Sequence, residues 1–409
     1  MSLPSPRPIL SIVIPTRERG RYLRHCLNTA IACEDSRIEI VVSDNASRDE
    51  TAAIVDQKRD PRIRYVRTPE RVSVSQNFSS AFSNSSGDYI LYIGDDDAVL
   101  PNGIRDLLAV LVEKKPDIVS WPEISYLWPI ERECGRLRIW RSQLRGGITS
   151  FDTAEYMRNI CGGATGIAVV HCGCLSRRLA DRITTITGRY HYYMYPDASG
   201  FAALAFAKSY LHLHRPVTVY GRSAASNSRA LMTPGSAAYV SFGRENAADV
   251  REEYLDPRCR SIFAQCLDGL LVTRRLLGLS SPAICWDEWK KQIVGDLISM
   301  PEEVRCEQGA YVNACLSVNG VEPIDMKPVK SAPMVRSRWE TMDLPKKTRR
   351  KISRKLVSIP ATEHFIPAVD SAVRLAEYII GPSRLGERKT NRADSYAWLG
   401  MAARAFLAA

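Results

Sequence analysis

The sequence predicts an α/β fold, a mainly parallel sheet with helices on both faces, followed by a mainly α-helical C-terminal region. Three observations carry this. Apolar runs of strand length alternate with helix-period segments through the first 125 residues, polar and acidic residues gather at the ends of three of those runs, and from about Gly235 the pattern becomes helix after helix. Strands that alternate this closely with helices need crossover connections, so the sheet is mainly parallel and binds ligands at the carboxyl ends of its strands.

The elements follow in order. Ile9-Leu-Ser-Ile-Val-Ile14 is β-branched and of strand length, and Pro15 ends it; Arg19 to Ala32 then places Tyr22, Leu23, Cys26, Leu27 and Ala30 at helical spacing. Ile38–Ser43 is a second strand, Asp49–Gln57 a short helix, Arg62–Arg67 a third strand and Val74–Ser83 a helix. Tyr89–Ile93 is a fourth strand, Gly103–Lys114 a helix with Leu107, Leu108, Val110 and Leu111 on one face, and Asp117–Trp121 a fifth strand. Beyond Trp121 the pattern loosens through Arg136 to Arg141. A helix follows over Phe151–Ile160, a strand over Gly166–Val170, a helix over Pro196–Lys208 and an extended run over Ser209–Tyr220. Helices are predicted over Ile262–Leu276, Trp286–Ile298 and Ala368–Ile380. These patterns divide the chain into residues 1–230, a helical region 231–325, a basic linker or surface arm 326–358, and a helical segment 359–409.

Composition removes several classes. A chain of 409 residues with 45% hydrophobic residues can bury cores, which excludes a disulfide miniprotein and global disorder. Of the net charge of +11, residues 327–355 contribute +9, from eleven basic and two acidic residues. The charge is therefore local, and nucleic-acid binding is not expected. Met1 to Pro8 carries no apolar run and nowhere do 18 apolar residues follow one another, so a cytoplasmic protein is expected. The 11 cysteines are odd in number and scattered, as reduced core thiols would be; His171-Cys172-Gly173-Cys174 lacks the second spaced pair of a zinc site. Neither Gly-x-Gly-x-x-Gly after the first strand nor a Walker lysine loop occurs, which disfavours a dinucleotide dehydrogenase or a P-loop NTPase.

The chemistry gathers at three strand ends: Pro15-Thr16-Arg17-Glu18-Arg19, Ser43-Asp44-Asn45-Ala46-Ser47 and Gly94-Asp95-Asp96-Asp97. Three successive aspartates repel one another, and a hard divalent ion, Mg²⁺ or Mn²⁺, offsets that repulsion with substrate phosphates completing its shell. The competing reading makes them caps of the helix after Leu100-Pro101. Asp44 presents a carboxylate to imide or hydroxyl donors of a base or sugar, or else closes an Asx turn.

Ser11-Ile-Val-Ile-Pro-Thr16, Val41-Val-Ser-Asp-Asn-Ala-Ser47 with Asp49, and Gly87-Asp-Tyr-Ile-Leu-Tyr-Ile-Gly-Asp-Asp-Asp-Ala-Val-Leu-Pro101 together resemble the nucleotide-binding half of glycosyltransferase family 2, with its GT-A fold. The resemblance covers roughly the first 225 residues. It implies a metal-dependent, inverting transfer of a sugar from a nucleotide diphosphate donor, most often UDP-linked, to an acceptor hydroxyl. Carried over by position, Pro15 and Thr16 line the base, with Arg17 and Glu18 in the same nucleotide-sugar site, and Asp44 binds the uracil. Ser73 and Asn77 occupy a helix facing the nucleotide, and Asp95 contacts ribose or the donor sugar. Asp96 holds the metal, Mn²⁺ or Mg²⁺, with Asp97 as the alternative ligand. Gly94 stands where the family commonly has an aspartate. Inversion also needs a base, and Asp197 in Tyr195-Pro-Asp-Ala-Ser-Gly-Phe201 is the candidate, although Pro196 replaces the first acid of the usual pair and a helix cap explains Asp197 as well.

Weaker features complete the reading. His191, Tyr192, Tyr193 and Tyr195 are candidates for stacking on an acceptor sugar, or are core; Gly221-Arg222-Ser223 with Ser226 and Arg229 is a candidate loop over the diphosphate, or an ordinary loop. Residues 346–359 mix cations with apolar residues, which suits peripheral contact with the inner face of a membrane and a carbohydrate or lipid-linked acceptor, or simply a solvated linker. The expected product is a surface polysaccharide or glycolipid. The alternative function is a non-catalytic nucleotide-sugar-binding scaffold or a partner-binding protein on the same fold, and the oligomeric state is left open.

Overall fold

The described residues of the computed structural model are 7–129, 135–140, 146–163, 173–192, 197–226, 241, 244–246, 255–256, 258–298, 300–324, 356–361 and 368–381. Strands β1 (Leu10–Thr16), β2 (Ile38–Asp44), β3 (Ile63–Arg67) and β4 (Tyr89–Tyr92) run parallel in the spatial order β3-β2-β1-β4. Their crossovers are α1 (Gly20–Ile31), α2 (Thr51–Lys58) and α3 (Val74–Ser83), as the alternating pattern requires. Because successive side chains on a strand face opposite ways, Val13 packs on one side of the sheet with Val41 and Ile90. Ile12 and Ile14 pack on the other with Ile40 and Val42. Both faces are thus covered. The N-terminus of α3 shows why it begins where the sequence says: Ser73 accepts from the Gln76 N–H and the Gln76 side chain accepts from the Ser73 N–H, a reciprocal cap.

The chain then passes through β5 (Ala98–Val99), α4 (Pro101–Lys114), β6 (Ile118–Ser120), β7 (Ile124–Leu127), β8 (Gly135–Trp140), β9 (Ile148–Phe151) and α5 (Thr153–Cys161). It continues with β10 (Gly173–Ser176), α6 (Arg177–Thr187), α7 (Asp197–Phe206), β11 (Tyr210–Leu213) and β12 (Thr218–Arg222). Strand β10 joins the first sheet antiparallel to both β4 and β6, and β11 and β9 extend it further, giving the order β3-β2-β1-β4-β10-β6-β11-β9. A second sheet has the order β13-β8-β7-β12-β5, where β13 is Leu356–Ala361. The fold is α/β with a helical C-terminal region: α8 (Ile262–Leu276), α9 (Trp286–Ile298) and α10 (Glu302–Val318).

Two features differ from the sequence reading, and a third expectation is untested. Residues 356–359, expected at the apolar end of a basic arm, pair as β13 with β8. Strands β7, β8 and β9 and helix α6 occupy stretches where no element was predicted, and α10 lies in the region read as helical, where it was given no bounds of its own. The strand expected over Gly166–Val170 lies outside the described residues. Among the described residues no helix is long and apolar enough to cross a membrane, and the described cysteines are free thiols, with Cys26, Cys33, Cys161, Cys174, Cys259 and Cys315 buried.

The cores explain the layering. One joins a face of the first sheet to α7, α8 and α9 through Phe201, Leu267, Leu270, Trp289 and Ile293, so the helical region and the sheet share a single apolar interior. Another lies on the second sheet, where Tyr126, Trp128, Leu137 and Val219 meet α11 (Val369–Ile380) through Val369, Ala372, Leu375 and Ala376. Leu375 is 1% exposed in that core. Leu375→Ala is expected to cost about 2–5 kcal/mol, read as a lowered midpoint of urea unfolding.

Candidate active site

The polar strand ends converge by register. Thr16 pairs with Asp44 across β1 and β2, and Asp44 with Arg67 across β2 and β3, so all three end at one edge. Between β1 and β4 the strand order reverses, and a parallel sheet opens a crevice at such a switch point. Thr16 Oγ1 donates to Asp95 Oδ2 across it at 2.7 Å.

Each residue of the acidic triplet is held differently. Asp95 accepts from Thr16 and, through Oδ1, from Arg19 Nη1 at 3.0 Å, while Arg19 Nη2 also donates to the Ala225 carbonyl. Burial works against the Arg19 charge, but Asp95 and Asp96 outweigh it and strengthen its hold on the proton. Asp96 Oδ2 accepts from Ser223 Oγ at 2.6 Å and from the Ser223 N–H at 3.2 Å. Asp97 turns into the backbone, accepting from the Gly94 N–H at 2.6 Å and the Gly221 N–H at 2.7 Å. Burial first, and the neighbouring carboxylates second, push Asp96 above the ordinary carboxyl range, and push Asp97 well above it. The same burial and the three aspartates push up the Cys26 thiol, which donates to the Gly94 carbonyl at 3.6 Å.

Two glycines make this packing feasible. A Cβ on Gly94 would lie 3.1 Å from both Asp96 Oδ1 and Asp97 Oδ2, so an aspartate at this position would crowd the two carboxylates. On Gly221 a Cβ would lie 1.7 Å from the Asp96 carbonyl oxygen, an overlap no side chain tolerates.

At the end of β2, Asp44 is fully buried and closes its own turn: Ser47 N–H donates to Oδ1 at 2.9 Å and Tyr65 OH to Oδ2 at 2.5 Å, with Arg67 Nε 3.4 Å away. The Asx-type turn and the position at the site edge therefore coexist. Glu18 and Ala46 carry φ of 53° and 51°, left-handed values uncommon for residues with a Cβ; the Glu18 N–H donates to Ser47 Oγ at 2.8 Å and locks the two turns together. Ser73 caps α3, and Asn77 bonds Ser43 through Oδ1 at 2.9 Å. Arg17 donates to Glu245, which Arg71 approaches at 3.8 Å. Pro15 is buried within β1 beside Ser43.

Of the predicted site residues, Pro15, Thr16, Asp44, Asp95, Asp96 and Asp97 share one sheet edge, with Arg17, Glu18, Ser73 and Asn77 on the adjoining loops and helix. Asp197 opens α7 by its backbone, and its side chain lies outside the described residues, as do Tyr193, Tyr195 and Arg229. His191 and Tyr192 are core: the His191 ring packs edge-on to Tyr92 and Phe78, and Tyr192 OH donates to the Ala198 carbonyl at 2.7 Å. Sequence reasoning missed Arg19, Tyr65, Arg67 and Trp128. Arg19 stood in the first strand-end motif, but nothing marked its pairing with a carboxylate 76 residues on.

The donor set of the triplet suits a hard divalent ion: it is all oxygen, buried, and, among the described residues, offset in direct contact by the guanidinium of Arg19. Among the described residues no three His, Cys, Asp or Glu side chains are arranged to hold an ion by themselves. An ion there would draw the rest of its shell from water and substrate oxygens.

A parallel-sheet switch point that ends in bonded Thr16 and Asp95, with carboxylates beside it, is a place where an open α/β sheet binds a ligand. Residues 11–182 match the family model described as Glycosyl transferase family 2. The chain is 29% identical over 120 residues to glycosyltransferase GlyG of Streptococcus pneumoniae, an alignment covering 29% of this chain and 40% of that protein. It is likewise 29% identical over 104 residues to the GalNAc(5)-diNAcBac-PP-undecaprenol beta-1,3-glucosyltransferase of Campylobacter jejuni, covering 25% of this chain and 34% of that one. The chain thus spans 40% or less of the length of these relatives. The solved structure of S. aureus TarS 1-349 in complex with UDP-GlcNAc aligns with a TM-score of 0.44 and 13% identity, over 76% of this chain and 90% of that chain.

A carboxyl whose folded pKa is raised binds more protons folded than unfolded, so it lowers stability as pH rises from the unfolded value of about 4 through the folded one. In metal-free protein, Asp96→Asn should therefore gain stability relative to wild type as pH rises from about 4 toward neutrality, measured as the difference between their urea midpoints. A pH-independent difference would contradict the raised Asp96 carboxyl.

Proposed function

We propose that the chain is an inverting, divalent-metal-dependent glycosyltransferase that moves a sugar from a nucleotide diphosphate donor, UDP-linked, to an acceptor hydroxyl in surface polysaccharide or glycolipid synthesis. The observation that carries the reading is the Thr16–Asp95 bond across the β1/β4 crevice, with Asp96 next to it. The family 2 match over residues 11–182 and the lipid-linked acceptor in the name of the Campylobacter relative support it.

In this reading Pro15, Thr16, Arg17, Glu18, Asp44, Ser73 and Asn77 bound the nucleotide, and Asp95 orients the ribose or donor sugar while tied to Thr16 and Arg19. Asp96 is the metal ligand in preference to Asp97, because both Asp97 oxygens are already held by backbone N–H groups. When bound, Mn²⁺ or Mg²⁺ stabilises the negative charge that develops on the departing diphosphate. Asp197, at the start of α7, takes the proton of the acceptor hydroxyl.

A thermal-shift panel of UDP, GDP, CDP and TDP sugars with Mn²⁺, Mg²⁺ or chelator tests the donor, since a ligand selective for the native state raises its melting temperature. One nucleotide class should give a metal-dependent shift that Asp96→Ala abolishes. Equal shifts in chelator would remove the metal, and no shift with any donor, in folded protein, would favour a non-catalytic partner-binding protein on this fold. Asp197→Asn should bind donor normally and transfer sugar slower by about 10²-fold or more. Turnover at the wild-type rate would dismiss Asp197 as the base.

A further inference from the structure

The acidic triplet is also held from behind, by residues that the donor-site reading does not use. Trp128, just past β7, donates its indole N–H to the Asp96 carbonyl at 2.9 Å. That carbonyl belongs to the peptide joining Asp96 to Asp97, so the indole fixes the backbone from which the candidate metal ligand projects. The ring itself is 6% exposed and is set by α1: Tyr22 lies edge-on at 4.8 Å and His25 tilts against it at 5.8 Å.

What holds α1 there comes from the far end of the chain. His25 Nδ1 lies 3.2 Å from Asp370 Oδ1, and Asn28 Nδ2 donates to Asp370 Oδ2 at 3.0 Å. Asp370 sits in the first turn of α11, and near the other end of that helix Glu377 Oε1 accepts from the Asn102 N–H at 2.8 Å. Asn102 is in the first turn of α4, which starts four residues after Asp97. One helix therefore grips both elements that flank the triplet: α1, whose N-cap is Arg19, the partner of Asp95, and α4, which follows Asp97 in sequence.

We infer that Asp370 and His25 are positioning residues that hold Trp128, and that the Trp128 indole N–H positions Asp96, making α11 a brace for the metal-binding loop. The inference rests on the donor-site reading for its effect on ligand binding, but the brace itself is a contact chain independent of any ligand. Its purpose is geometric. A carboxylate that must meet an ion and a diphosphate together needs its backbone fixed within about 0.5 Å, and hydrogen bonds outside the ligand sphere typically govern metal affinity by about 10–100-fold.

Two measurements on the full-length chain separate the brace from the donor-site reading. With ¹⁵N-labelled tryptophan, Trp128→Phe identifies the Trp128 indole resonance among those of the 7 tryptophans. Asp370→Ala should speed its hydrogen exchange about tenfold or more, as loss of a locally stabilising contact does. Trp121, whose indole donates to Thr218 Oγ1 at 2.8 Å, should exchange as before. His25→Gln, a milder change at the other end of the contact, must act in the same direction. Unchanged exchange of Trp128 in both folded variants would overturn the brace. The second measurement titrates Mn²⁺ at saturating UDP. Trp128→Phe keeps an aromatic ring and loses only the N–H donor, so it should raise the Mn²⁺ midpoint about tenfold while leaving UDP binding in chelator unchanged. An unchanged midpoint in the variant would overturn the positioning of Asp96. Wild-type protein that binds none of the UDP, GDP, CDP and TDP sugars with Mn²⁺ would refute the donor-site reading, and the exchange data would then decide the brace by themselves.

Discussion

Three consecutive carboxylates, all buried at the end of β4, set the terms for the rest of the molecule. Two unit charges about 4 Å apart repel by roughly 4 kcal/mol at an effective dielectric of 20, so neighbouring ionised aspartates are costly unless other groups compensate. Each is met by a different part of the chain. Asp95 takes Thr16 from β1 and Arg19 from the cap of α1, Asp96 takes Ser223 from the end of β12, and Asp97 takes backbone N–H groups of Gly94 and Gly221. The glycines at 94 and 221, the left-handed turn at Glu18 and the approach of the second sheet all serve that arrangement.

What could be read from sequence follows from which interactions are local. Helix α3 begins and ends where its pattern predicts, because its cap, Ser73 with Gln76, lies within four residues of chain. The parallel strands were legible from continuous β-branched runs such as Ile12-Val13-Ile14, buried on both faces. Strand β8 was not: Gly-Arg-Leu-Arg-Ile-Trp alternates charge with apolar residues, and its partners β7 and β13 lie on opposite sides of it, one of them more than 200 residues away. Helix α6 was missed because Arg177-Arg-Leu-Ala-Asp-Arg-Ile-Thr-Thr-Ile-Thr187 carries a narrow apolar stripe, Leu179, Ala180 and Ile183, among threonines that favour strands elsewhere.

The site divides in the same way. The strand-end motifs located Thr16, Asp44 and the triplet, since a parallel sheet delivers those ends to one edge whatever the loops do. The supporting partners were only partly legible: Gly221-Arg222-Ser223 stood out as a candidate loop over the site, but not that Ser223 bonds a carboxylate 127 residues away, and nothing near Trp128 in sequence points to Asp96. The helical region is likewise less separate than its change of pattern suggests, because Phe201, Leu267 and Trp289 share an interior with Ile90 of β4.

The strand β13 and the helix α11 have a consequence for how the protein is made. Asp97 leaves the ribosome some 270 residues before Asp370, and at about 5–20 residues per second that interval is on the order of tens of seconds. Through it the nascent sheet can form its parallel strands, yet β8 has an open edge and the apolar surface of Tyr126 and Leu137 lacks its covering helix. The growing chain thus carries an exposed strand edge and an unfinished site until residues 356–380 are synthesised, which makes this interval the point at which chaperones or self-association would act on it.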